Sequence, residues 1–111
     1  NVIDWQKIHD IACAFPELPL ILTGFRFPRR EVFLLMTHCP NVYSVDFSFA
    51  WPGERAKGPL LPPERFLLGS GAPEWDPGMV VNVAQYSELL DERGKKLVSG
   101  GNLRRLMEAV R

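Results

Sequence analysis

Proline and glycine punctuate this chain so densely that only short elements can form between them. Ten prolines and nine glycines occur in 111 residues. They cluster at Pro16 and Pro19, Phe27-Pro28, Trp51-Pro52-Gly53, Gly58-Pro59, Pro62-Pro63, Gly69 to Pro73, Pro77-Gly78, Gly94 and Gly100-Gly101. Proline ends helices and cannot donate to a ladder, and glycine supplies turns, so each cluster marks a boundary. The segments between them are rich in apolar residues, and 46% of the chain is apolar, which places it among folded single domains rather than disordered segments. The chain shows no internal repeat and no low-complexity tract.

The periodicity within the segments alternates between helix and strand. Asp4 caps a helix over 5–15, with Trp5, Ile8, Ile11, Ala12 and Phe15 on one face and Pro16 ending it. The run 18–23 is continuously apolar, as in a strand buried on both faces. A loop over 24–28 leads to a helix over 29–39. Residues 42–49 alternate strictly, with Tyr43, Val45, Phe47 and Phe49 on one face and Val42, Ser44, Asp46 and Ser48 on the other. A long Pro- and Gly-rich loop over 50–63 is expected to be the most mobile internal segment. A third strand follows at 65–69, a loop at 71–78, a helix at 79–93, and a last helix at 103–110 capped by Asn102. This order predicts an α/β fold with parallel strands and right-handed helical crossovers. Three such strands expose two sheet edges and amount to about three of the eight units of a closed barrel.

Four strings in this order resemble the C-terminal portion of the amidohydrolase-related family, the metal-dependent hydrolases and decarboxylases built on a TIM barrel. They are FPELPLILTG at 15–24, CPNVYSVDFSF at 39–49, PERFLLGSGAP at 63–73 and GGNLRRLM at 100–107. The family includes aminocarboxymuconate semialdehyde decarboxylase and the 2-pyrone-4,6-dicarboxylate lactonases. The resemblance spans 5–107 and implies that the three strands are strands six to eight of a (β/α)8 barrel, within a single partial-barrel domain over 1–111. It also implies a site at the C-terminal ends of those strands. In the family the sixth strand ends in a His and the eighth in an Asp that ligates metal or moves a proton. The matching positions here are Gly24 and Gly71, which carry no side chain to do either. The family's other ligands precede the sixth strand, so the resemblance assigns this chain no catalytic residue and no metal ligand. A zinc or manganese ion belongs only to a full-length parent, and whether the chain is an enzyme stays open. Asn1 opens the chain within the approach to a helix, which fits a piece of a longer protein.

Asp46 and Ser48 share the polar face of the second strand. In a barrel they line the site and contact substrate; in an open sheet they face solvent. Ser70, in the turn Leu68-Gly69-Ser70-Gly71, is a third substrate-binding candidate. That turn lacks the last glycine of a dinucleotide fingerprint and is followed by Pro73 rather than a helix. His9 and His38 are the only histidines. His38 and Cys39 are adjacent, a poor spacing for a shared ligand set, and Cys13 and Cys39 read as plain thiols near two helix ends. Arg29-Arg30 and Arg104-Arg105 read as solvated pairs, and Phe49, Trp51 and Trp75 as aromatics that pack loops down or meet a ligand.

Thirteen basic side chains balance thirteen acidic ones, which argues against a nucleic-acid or anionic-membrane partner. No run of about 18 apolar residues and no basic-then-apolar leader is present, and two cysteines suit a reducing compartment, so a cytoplasmic protein is expected. The expected partners are a second copy of the chain or a missing barrel half, together with a small-molecule carboxylate ligand. The competing functional reading is a non-catalytic α/β binding or oligomerisation module.

Overall fold

A computed structural model describes residues 3–23, 30–45, 62–69, 72–73, 76–86 and 90–110. Five helices and three strands alternate through them: α1 (Trp5–Ala14), β1 (Leu20–Leu22), α2 (Arg30–His38), β2 (Val42–Val45), β3 (Phe66–Leu67), α3 (Pro77–Tyr86), α4 (Glu92–Lys96) and α5 (Asn102–Ala109). The protein is a mixed α/β fold around an open three-stranded parallel sheet in the order β1-β2-β3. Leu20 pairs with Val42, and Leu22 with Ser44, which in turn pairs with Phe66. None of the described helices is long and apolar enough to cross a membrane.

The helix α1 starts where Asp4 Oδ1 accepts from the Lys7 amide at 3.1 Å, and it ends at Phe15, ahead of Pro16. Its buried stripe is narrower than the periodicity predicts. Ala12 is buried and Trp5 and Ile8 pack beside it, whereas Ile11 and Phe15 are 47% and 59% exposed. At about 100° per residue, Ile11 lies a quarter-turn off the Ala12 line, which takes it out of contact with the sheet. One buried cluster consists of Ala12, Val32, Leu35, Met36, Cys39 and Val42, with Leu20, Leu22 and Phe66 of the sheet packed on it, and Leu67, Val80, Ala84, Leu90, Val98 and Leu106 are buried in the C-terminal part.

This register assigns the faces of β2. Val42 and Ser44 share the fully buried face, and Val42 belongs to the core cluster containing α2; Tyr43 and Val45 are only half-buried. Ser44 therefore does not face solvent, and its Oγ has no hydrogen-bond partner among the described residues. The rest of the expected strand, with Asp46 and Ser48, lies outside the described residues, as do most of the 50–63 loop and Ser70, Gly24 and Gly71.

Two expectations about the C-terminal part are corrected. The apolar pattern at 79–93 forms two helices, because Asp91 starts a new one: its Oδ1 accepts from the Gly94 amide at 2.7 Å. Gly94 is thus inside α4 and buried rather than a loop residue. Asn102 is not a cap but the first residue of α5, reached across a kink at Gly100, whose backbone is not helical. Its amide nitrogen donates to the Pro63 and Phe66 carbonyls, both at 2.7 Å, so this fully buried side chain fastens α5 to β3.

Candidate functional site

Among the described residues, one group of metal-ligating side chains stands together: His9, Cys13 and Cys39, whose donor atoms all lie within 4.8 Å of one another. Helical spacing explains the first two. Residues four apart lie one above the other on a helix, and Cys13 Sγ is 3.6 Å from His9 Nε2 and 4.0 Å from Nδ1. Cys39 arrives from the other side of the fold, immediately after α2, where its amide still donates to the Leu35 carbonyl at 2.8 Å. Its side chain is buried and that of Cys13 is exposed.

Two long-range polar side chains hold this junction. Asn41 Nδ2 donates to the carbonyls of Ala12, Phe15 and Leu18 at 3.2, 3.0 and 2.9 Å, tying the end of α1 to the turn before β2. Arg65 reaches back from the turn before β3. Its Nη2 donates to the Met36 and Cys39 carbonyls, both at 2.8 Å, and to Val42 at 2.6 Å. It thereby satisfies carbonyls at the end of α2 that have no helical partner. Its guanidinium also stands 5.7 Å from the centre of the Tyr43 ring, within cation–π range.

The electrostatics follow from this packing. Burial pushes the Cys39 thiol above its ordinary range, the neighbouring Cys13 sulfur adds to the shift, and Arg65 opposes it. On the solvent side, His9 Nδ1 lies 3.6 Å from Asp10 Oδ1, an ion-pairing distance. This ordering suits an imidazole with Nδ1 toward a carboxylate and Nε2 toward sulfur.

The group sits at the N-terminal edge of the sheet, since Cys39 and Asn41 come just before β2. The opposite end, where Thr23 follows β1, Val45 closes β2 and Gly69 lies two residues past β3, is where parallel α/β sheets bind ligands. The sequence-derived candidates Asp46, Ser48 and Ser70 lie outside the described residues. His38 is exposed at the end of α2 and is not part of the thiol–imidazole group. The i,i+4 spacing of His9 and Cys13 is legible in the sequence; the approach of Cys39, Asn41 and Arg65 is not, because each closes a loop of more than twenty residues. No family model, no curated protein and no solved structure matches the chain.

Proposed function

We propose that this chain is the closing segment of an amidohydrolase-related barrel, strands six to eight, and supplies framework and substrate-facing loops to a hydrolase or decarboxylase. Strand order carries the reading. The strands β1, β2 and β3 lie side by side in chain order and all parallel. A barrel winds in one direction, whereas a doubly wound sheet reverses at a switch point. In this reading Asp46, Ser48 and Ser70 reach a small carboxylate substrate only if the chain turns after β2 and β3, since strict alternation would continue Asp46 and Ser48 on the α2 side with Ser44. Glycine at 24 and 71 has no donor atom and does not fit a hydrolytic zinc or manganese site there, so no metal-dependent step is assigned to this chain. The test is the coding region upstream of Asn1. Codons for a strand bearing His-x-His are expected, and a start codon directly ahead of Asn1 would overturn the reading.

A second reading, an α/β binding or oligomerisation module, is favoured by exposed apolar side chains. Ile21 on the edge strand is 41% exposed, Leu103 and Met107 share one side of α5 at 45% and 66%, and Val110, just after the helix, is 70% exposed. Light scattering over a concentration series tests it: reversible association is expected, and a monomer persisting to about millimolar concentration would remove it.

A further inference from the structure

We propose that His9, Cys13 and Cys39 form a zinc-binding site that pins α1 to the turn between α2 and β2. The site lies at the sheet edge opposite the proposed substrate loops and does not depend on the barrel reading.

The donor geometry is the first argument. With Zn–S near 2.3 Å and Zn–N near 2.0 Å, a tetrahedral centre separates sulfur and nitrogen ligands by about 3.6 Å and two sulfurs by about 3.8 Å. Cys13 Sγ and His9 Nε2 are 3.6 Å apart, and no pair in the trio exceeds 4.8 Å. A side-chain rotation of Cys13 or His9, both on the solvent side, closes the rest.

The second argument is the surroundings of the donors. Asp10 Oδ1 stands 3.6 Å from His9 Nδ1, so a small shift of the ring would let it accept the Nδ1 proton and leave Nε2 for the metal. Asn41 and Arg65 fix the backbone on both sides of the gap, at Ala12 next to Cys13 and at Cys39 itself. The backbone on both sides of the site is therefore fixed before any ion arrives, which leaves only side-chain rotations to be ordered on binding.

The donor chemistry selects the ion. Two thiolates and an imidazole suit zinc and disfavour magnesium, calcium and manganese, which take oxygen. Binding one Zn²⁺ releases the two thiol protons, and the resulting centre is neutral, which suits a site with one ligand buried. Three protein ligands leave the fourth position to water on the exposed side of His9 and Cys13.

The test uses the full chain purified under a non-thiol reductant and dialysed. Elemental analysis is expected to find one zinc per chain, and cobalt(II) titration is expected to give the thiolate-to-metal charge-transfer band of a tetrahedral site. The exposed variants Cys13→Ser and His9→Gln should fold as the parent does by circular dichroism, yet bind cobalt about tenfold or more weakly and lose the zinc-dependent rise in melting temperature. Cys39→Ser should also lose the band; if it fails to fold, the two exposed variants decide. Absence of both stoichiometric zinc and the charge-transfer band would overturn the proposal. So would a band of equal strength in Cys13→Ser and His9→Gln.

Discussion

The Asn41 side-chain amide donates to the Ala12 carbonyl across the end of α1, and two further carbonyls, Phe15 and Leu18, converge on the same nitrogen. One side chain thus closes the Ala12 carbonyl, which Pro16 cannot serve, and adds to the Phe15 carbonyl, which already accepts from the Leu18 amide, and to the Leu18 carbonyl. Replacing it by Ala orphans the buried Ala12 carbonyl, a loss of about 1–3 kcal/mol. Asn41→Asp should cost more, because a carboxylate accepts and cannot donate to a carbonyl. Urea denaturation of the two variants checks the order: Asn41→Asp below Asn41→Ala below the parent in midpoint.

Arg65 plays the corresponding part at the end of α2. Its planar fork reaches Met36, Cys39 and Val42 together, and Nε adds a bond to the Val42 carbonyl at 3.2 Å. Burial lowers its affinity for a proton. A lysine ammonium is a single point of donation and cannot span these acceptors. Arg65→Lys is therefore expected to destabilise by about 1–3 kcal/mol, measured as a lower midpoint in chemical denaturation.

These two braces mark what the sequence could and could not show. The strand at Leu20–Leu22, the Asp4 cap and the parallel order are local or periodic signals and read correctly from residues alone, but the burial on both faces expected over 18–23 does not hold, because β1 is an edge strand with Ile21 41% exposed. Asn41 and Arg65 look like an ordinary turn asparagine and an ordinary arginine until partners from distant segments arrive. Ser44 misleads for the same reason: its polarity suggests an outward face, but Val42, two residues earlier, packs into the α2 core and sets that face inward. At 79–93 the helical period continues across Asp91, yet the capping bond from Asp91 to the Gly94 amide favours a fresh start over continuation. The thiol–imidazole trio was half legible, as His9 and Cys13, and its third member comes from the next α/β unit.

Gly69, two residues past β3, stands against Val45 at the end of β2. A methyl group there would overlap Val45 Cγ1. Gly69→Ala should therefore force the strand ends apart and destabilise by about 1–3 kcal/mol, while Gly100→Ala, which meets nothing nearby, should cost less. Thermal denaturation of both variants against the parent gives the comparison.

Alkylation should distinguish the two cysteines. Cys13 is exposed on α1, whereas Cys39 is 2% exposed and its thiol is held in the protonated form by burial and by the Cys13 sulfur. The thiolate is the reactive species, so access and protonation act together. In metal-free protein, iodoacetamide at neutral pH is expected to modify Cys13 first, with Cys39 reacting only on opening of the core. Peptide mass spectrometry over time checks this, and equal rates would contradict it.

Acid should weaken the link between the turn before β3 and α4. A hydrogen bond from its own backbone amide holds the Glu64 carboxyl below its ordinary range, and the Arg93 guanidinium, which donates to Oε1, lowers it further. A carboxylate with a depressed folded-state value contributes stability that is fully present above the ordinary carboxylate range. That contribution is lost as pH falls through the lower, folded-state value, because the native form then takes up the proton the unfolded chain already holds. Both side chains are substantially exposed, so salt screens the pair and the effect is modest. Glu64→Gln should therefore flatten the acid limb of a melting-temperature profile below about pH 4.5. It should leave the profile from neutral pH upward parallel to the parent's, and an unchanged acid limb would show that the pair contributes nothing measurable.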